Sequence, residues 1–364
     1  MLKALVIYGG GTFGGAEYHI KQLFQYAGNV VFPLLLAFRD DPLPCSLREK
    51  GAPVFLVPFS LRGLREAAQI VEQEGVAVLN PHGLKAALWA LALKKLTGRP
   101  VVVTLHSVLE HDYRGWKKLL YQTTAPLIYS RADGFITVSR ALANYLQSKG
   151  VKPEKIAVVY NGLDDSWFEI DPKQAINMRR EMRSRFGTGE NTLVLGTVAR
   201  FHPVKGLNYA IQALKFLQHL PVELWLAGEG ELLPELKRLA QEEGVKDRVR
   251  FCGFLEDVRP FYAAIDVYLQ PSLMESFGIT IVEALAFGHA VVASAVGGIP
   301  EIVDESVGIL VPPGDAAAIA EAVVKLTGEQ GWPDIYAQAC RSKLERFRAS
   351  IWAREWEKVI CRWT

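Results

Sequence analysis

Val267-Tyr268-Leu269-Gln270, then Pro271-Ser272-Leu273-Met274-Glu275-Ser276-Phe277-Gly278, then Ile279-Thr280-Ile281-Val282-Glu283-Ala284-Leu285 follow one another without a break, and their reading decides the fold. The first piece is an apolar run of strand length, the second a loop that turns at a glycine, and the third an apolar stretch of helical character. Strand, glycine turn and helix in that order place the amides near Gly278–Thr280 at a helix N-terminus, just past the carboxyl end of the strand. Such a terminus carries about half a positive charge and unpaired N–H donors, a setting that suits phosphate. Glu275 on the loop and Glu283 about one turn inside the helix are acceptors without donors when ionised, and so fit hydroxyl groups. The alternatives are a Glu275 that caps the helix and a Glu283 in solvent.

Outward from that window the same unit repeats. Leu193–Ala199, Glu223–Ala227, Val249–Gly253, Ala290–Ser294 and Gly308–Val311 read as further strands with helical patterns between them, the last being Ala316–Leu326. Before residue 165 a separate series runs through Leu2–Tyr8, Val30–Ala37, Val54–Pro58, Val76–Asn80, Val101–His106, Gly134–Val138 and Ile156–Tyr160. Its clearest helices are Ala16–Tyr26, Leu64–Glu74, Leu84–Leu96 and Arg140–Lys149. Alternation of this kind marks parallel sheets covered on both faces by helices. The turn-forming cluster Tyr160-Asn161-Gly162-Leu163-Asp164-Asp165, followed by a polar helical stretch over Lys173–Phe186, places a boundary between two doubly wound α/β domains. Trp332–Thr364 reads as helix throughout, and Trp352, Trp356 and Trp363 form one apolar face that predicts packing back across the junction.

The 364 residues exceed what one hydrophobic core usually supports, and a hydrophobic half with 22% charged residues excludes the disordered and collagenous classes. A formal charge of +2 gives no general reason to bind a nucleic-acid backbone. Residues 1–165 hold 19 Lys/Arg against 13 Asp/Glu and the remainder 22 against 26, so the first half is the more suited to an anionic partner. Cys45, Cys252, Cys340 and Cys361 are far apart, which points neither to a zinc site nor to a disulfide framework. The longest apolar runs, Val30–Phe38 and Ala86–Leu93, are about half of the roughly 20 residues a membrane-spanning helix needs. A cytoplasmic chain is expected.

A second window, Gly196-Thr197-Val198-Ala199-Arg200-Phe201-His202-Pro203-Val204-Lys205-Gly206, sets Arg200 past the end of a strand and Lys205 at the start of the next helix. Two cations there match a diphosphate, each charge-assisted hydrogen bond contributing about 1.5–3 kcal/mol; the alternative is a pair of ordinary surface cations. With these two upstream, the E-x7-E spacing of Glu275 and Glu283 resembles the family 4 retaining glycosyltransferases of GT-B fold. Other landmarks agree in order: Gly14-Gly15-Ala16-Glu17, Val138-Ser139, Tyr160–Asp164 and Val296-Gly297-Gly298-Ile299-Pro300-Glu301.

The resemblance implies two Rossmann-like domains facing across a cleft, with a C-terminal helix crossing back. Residues 1–165, joined by 348–364, would bind the acceptor, and residues 166–347 the nucleotide-sugar donor. Glu283 would hold the donor ribose, Glu275 the donor sugar, and Arg200 and Lys205 the diphosphate. Phe277, Gly278, Ile279 and Thr280 would offer backbone amides. Gly14 and Gly15 would approach from the first domain, and His106, in Thr104-Leu105-His106-Ser107, would lie near the reacting carbon. The activity implied is retaining transfer of a hexosyl or N-acetylhexosaminyl group from a UDP- or GDP-sugar to a hydroxyl of a glycan, lipid-linked or small-molecule acceptor. Front-face attack needs no protein nucleophile. No D-x-D motif is present, Asp40-Asp41 and Asp164-Asp165 being adjacent pairs in turns, so no metal and no cofactor are expected.

Three alternatives accompany this reading. Gly9-x-Gly11-x-x-Gly14 satisfies a dinucleotide fingerprint, but its acidic partner is late, Asp40 coming 26 residues after Gly14. A nucleotide-sugar epimerase would share the architecture, and a silent sugar-binding scaffold would share the fold. Trp116-Lys117-Lys118-Leu119-Leu120-Tyr121 mixes aromatics and cations as interfacial helices do, which would bring the chain to the inner face of the membrane; the other reading is a core helix with exposed lysines.

Overall fold

The computed structural model describes residues 1–10, 15–107 and 116–364, and for residues 116–121 the backbone alone. The chain divides into two compact units, Met1–Asp164 with Phe347–Thr364, and Asp165–Arg346.

The first unit runs β1 (Leu2–Tyr8), α1 (Gly15–Tyr26), β2 (Val31–Ala37), α2 (Pro42–Glu49), β3 (Val54–Leu56), α3 (Leu61–Glu74), β4 (Val78–His82), α4 (Leu84–Thr97), β5 (Val102–Leu105), α5 (Trp116–Arg131), β6 (Gly134–Thr137), α6 (Arg140–Ser148) and β7 (Ile156–Val158). Its sheet has the order β3-β2-β1-β4-β5-β6-β7, with parallel pairing. The order reverses at β1 and β4, and ligands of doubly wound sheets bind at the carboxyl ends of strands beside such a reversal. Local chemistry sets the element ends: Ser60 and Ser139 accept the Gly63 and Leu142 amides at the starts of α3 and α6, and Gly75 closes α3 in a left-handed conformation.

The second unit runs α7 (Pro172–Phe186), β8 (Leu193–Val198), α8 (Leu207–Ala213), β9 (Val222–Ala227), α9 (Leu233–Glu242), β10 (Val249–Gly253), α10 (Arg259–Ala264), β11 (Val267–Gln270), α11 (Ile279–Ala286), β12 (Ala290–Ser294), β13 (Gly308–Val311), α12 (Ala316–Thr327) and α13 (Trp332–Leu344). The parallel order β10-β9-β8-β11-β12-β13 reverses at β8 and β11. Asp266 ties α7 to this sheet, taking Arg179 and Arg183 at 2.9 and 2.7 Å and the Val194 amide at 2.7 Å. Arg183 is fully buried.

The C-terminal stretch is not one helix. After α13 a short 3-10 turn, Glu345–Phe347, precedes α14 (Ala349–Cys361). The break comes from the Tyr160–Asp164 turn: Leu163 donates its amide to Phe347 O at 2.7 Å and accepts from the Ala349 amide at 2.8 Å. Gly162 lets the two segments touch, since a Cβ there would sit 2.6 Å from Ala349 Cα. α14 then returns to the first unit, burying Trp352, Ala353, Trp356 and Ile360 against Ala4, Val6, Val78 and Val102. Glu357 on the same helix accepts four consecutive amides, Gly28 to Val31, at 2.9–3.1 Å. Among the described residues no helix is long and apolar enough to cross a membrane. The side chains of the proposed interfacial segment, Trp116–Tyr121, lie outside those described.

Candidate active site

In the second unit the site is built on the loops after β8 and β11, neighbours at the reversal. Leu273 and Met274 donate their amides to Val204 O at 2.8 and 3.4 Å, seating the 3-10 turn Pro203–Lys205 on the β11 loop. Gly206, at φ +62, permits this: a Cβ would lie 2.0 Å from Pro271 O. Lys205 Nζ therefore reaches Glu275 Oε2 at 2.7 Å. From the other side Gly298 donates its amide to Glu275 O at 3.1 Å. Gly297, at φ +53, comes so near that a Cβ would fall 1.7 Å from the same oxygen. Gln270 completes the frame, donating to Ser272 Oγ and Glu275 Oε2 at 2.8 and 3.3 Å while its carbonyl accepts from Tyr268 OH and Thr280 Oγ1.

Glu275 is thus a loop residue paired to Lys205, and α11 starts at Gly278 with no side-chain cap. Among the described residues nothing accepts from the Gly278, Ile279 or Thr280 amides, which leaves a bare helix terminus beside an ammonium group. Phe277 is buried beneath the turn. Arg200 is exposed, and its guanidinium is bonded to no described residue, so the structure joins Lys205 to Glu275 and does not join Arg200 to either.

Glu283 is buried, not solvated. Tyr262 OH stands 2.8 Å from its Oε2 and 3.1 Å from Thr280 O, and with one proton to give it favours the carboxylate. Burial pushes the carboxyl up to about 7, against the pull of the Tyr262 hydrogen bond. Its protonation changes around neutral pH.

In the first unit Gly14 lies outside the described residues, and Gly15 opens α1 with open space where a Cβ would stand. His106 follows β5, and two histidines absent from the sequence reading surround it. His82 Nδ1 is 2.9 Å from His106 Nε2, and the His19 ring centroid is 4.6 Å from that of His106. Each of the three offers a ring nitrogen within 4.8 Å of the others, a grouping that raises the question of a metal ion. The sequence expectation ended this strand at Asn80. The strand instead continues to His82, which pairs with Thr104, and Asn80 Nδ2 bridges the gap by donating to Val102 O at 2.6 Å.

The profile described as "Glycosyltransferase Family 4" matches residues 13–167, and that described as "Glycosyl transferases group 1" matches residues 192–329. An uncharacterised glycosyltransferase of Methanocaldococcus jannaschii is 35% identical over 270 residues, covering 70% of this chain and 67% of that protein. The chain belongs to the family 4 glycosyltransferases. The N-acetyl-α-D-glucosaminyl L-malate synthase of Bacillus anthracis is 27% identical over 83% of this chain and 79% of its own. Anabaena HepE, solved with UDP-glucose, superposes with a TM-score of 0.85 at 25% identity over the whole of both chains. The architecture is therefore that of GT-B glycosyltransferases, and the oxidoreductase and epimerase alternatives give way to a glycosyltransferase.

Proposed function

We propose that this glycosyltransferase moves a hexosyl or N-acetylhexosaminyl group, with retention, from a UDP- or GDP-sugar to a hydroxyl acceptor in the synthesis of a glycan or lipid-linked glycan, without a metal ion. The observation that carries the reading is the Lys205–Glu275 pair beside the uncapped α11 terminus, with buried Glu283 one turn deeper. The UDP-glucose complex of HepE supports the donor class.

In this reading the α11 amides and Lys205 hold the diphosphate. An ammonium has three donors, so Lys205 serves a phosphate oxygen without releasing Glu275. Arg200, free of other bonds among described residues, supplies the second cation. Glu283 accepts from the ribose hydroxyls, which return to its carboxylate the solvation that burial removed, and Glu275 accepts from the donor sugar. His106, with Gly14 and Gly15, serves the reacting end from the first unit, which binds the acceptor.

The step is front-face displacement. The bond from the anomeric carbon to the β-phosphate oxygen breaks, a bond from that carbon to the acceptor oxygen forms on the same face, and the acceptor proton passes to the departing phosphate. Charge growing on the diphosphate is met by Lys205, Arg200 and the helix terminus, fixed in advance.

The test incubates the chelator-treated protein with UDP- and GDP-sugars and a panel of hydroxyl acceptors, reading the product anomer by NMR. The product keeps the donor configuration and the rate survives EDTA. An inverted anomer, or turnover lost in EDTA and restored by Mg²⁺ or Mn²⁺, contradicts the mechanism.

A further inference from the structure

Three imidazoles meet beside the carboxyl ends of β4 and β5, and four of their six ring nitrogens are engaged. Asn80 sets the directions. Its Nδ2 faces Val102 O at 2.6 Å and Thr104 Oγ1 at 2.9 Å, and Trp356 Nε1, a donor only, faces its Oδ1 at 3.3 Å. A backbone carbonyl on one side and an indole N–H on the other allow a single orientation of the amide, so Asn80 Oδ1 is an acceptor. His82 Nε2, 3.1 Å from that oxygen, must carry a proton. Burial holds both His82 and His106 well below their ordinary value, so each ring is neutral. His82 Nδ1 is then a lone pair, and the 2.9 Å contact is donated by His106 Nε2. His106 Nδ1 is buried and, among the described residues, has no partner.

We propose that Asn80 and His82 are positioning residues that hold His106 in the tautomer with its proton on Nε2, so that its Nδ1 is a fixed acceptor for one hydroxyl proton of the bound substrate. This rests on the reading of the chain as a transferase acting on sugars, whose hydroxyls are the donors such a lone pair needs. A buried polar atom with no partner calls for one, and at the end of β5 a substrate hydroxyl can supply it. A metal ion fits the same rings poorly. Among the described residues only His19 Nε2 and His106 Nδ1 of the three rings are unpartnered, and the 2.9 Å separation of the His82 and His106 nitrogens is shorter than the roughly 3.3 Å edge of a tetrahedral zinc site. Sequence alone hid the relay because Asn80 and His82 lie on β4 and His106 just after β5, and only the pairing of those strands brings them together.

The tautomer is read directly from histidine side-chain ¹⁵N shifts in the uniformly ¹⁵N-labelled full chain. In the wild-type protein at pH 7.5, His106 shows a protonated Nε2 and an unprotonated Nδ1. His82→Phe removes the lone pair that fixes this state and gives a mixture of tautomers. His82→Gln, whose Oε1 still accepts from His106 Nε2, restores it, and its transfer rate exceeds that of His82→Phe roughly tenfold, the value of one neutral hydrogen bond. A wild-type His106 protonated on Nδ1 overturns the relay even if the variants do not fold, as does an unchanged tautomer in His82→Phe, or a zinc titration that displaces the His106 Nε2 proton. UDP-glucose, UDP-N-acetylglucosamine and GDP-mannose are the substrate probes. A probe that binds by calorimetry moves the Nδ1 resonance upfield, and binding of all three without such a shift overturns the acceptor role. Failure of every probe to bind sinks instead the glycosyl-transfer reading, while the tautomer measurement still decides the relay.

Discussion

Replacing Glu283 with Gln tests the buried carboxylate by its sign as well as its size. Burial raises the folded-state value from the ordinary 4.5 to about 7, so the native state binds the proton more tightly than the unfolded chain. The stability tied to this proton is complete below pH 4.5 and is lost as pH rises through 7. At about 1.4 kcal/mol per pH unit, the ionised carboxylate costs the unliganded second unit about 3 kcal/mol at pH 8 and about 1 kcal/mol at pH 5. Gln keeps the shape and still offers Tyr262 an oxygen. The variant is therefore more stable than the wild-type protein without ligand, by about 3 kcal/mol at pH 8, with the gap closing toward pH 5. Because a chain of two units has no single unfolding free energy, the assay is native-state hydrogen exchange at the amides of β11 and β12. The same variant binds UDP-glucose more weakly, and wild-type affinity falls about tenfold per pH unit below 7, since ribose hydroxyls need the ionised form. A gap that is constant with pH, or wider at pH 5, refutes the reasoning.

Two further substitutions separate site from scaffold. Gly297→Ala drives a Cβ to within 1.7 Å of Glu275 O at a left-handed φ, so the β11 loop shifts and turnover drops, while exchange in β12 changes little; undiminished turnover would show that the loop position does not matter. Asp266→Ala leaves the fully buried Arg183 unpaired and destabilises the second unit by about 3–5 kcal/mol, seen as faster exchange in β8 and β11 with β1 and β4 unaffected.

Much of this was legible because apolar runs and glycines are local signals. β11 and the loop to α11 read directly, since Val267–Gln270 is short and apolar and Gly278 sits where φ is +101. The return of the C-terminus to the first unit was visible in the spacing of Trp352 and Trp356. What stayed hidden depends on contacts distant in sequence. Glu345-Arg346-Phe347-Arg348 contains neither Gly nor Pro, and the helix breaks there because Leu163 claims the backbone. From sequence, Glu283 reads as a hydroxyl acceptor or as a solvated helix residue, and only the contact with Tyr262, from α10, shows that it is buried. Arg200 and Lys205 read as equivalent cations, yet only Lys205 is carried to Glu275 by the Val204 contacts. His19 and His82 fall on separate elements, and only the pairing of β1, β4 and β5 brings them to His106.

The central claim is that the second unit grips a nucleotide diphosphate through Lys205, Arg200 and the α11 terminus. Calorimetric titration of UDP and GDP into the wild-type protein and into Lys205→Met, Arg200→Met and the double variant tests it most directly. One of the two nucleotides binds, each single change weakens it at least tenfold, in line with about 1.5–3 kcal/mol for a charge-assisted hydrogen bond, and the slope of affinity against salt falls in the double variant. Equal affinity in all four proteins would contradict the account.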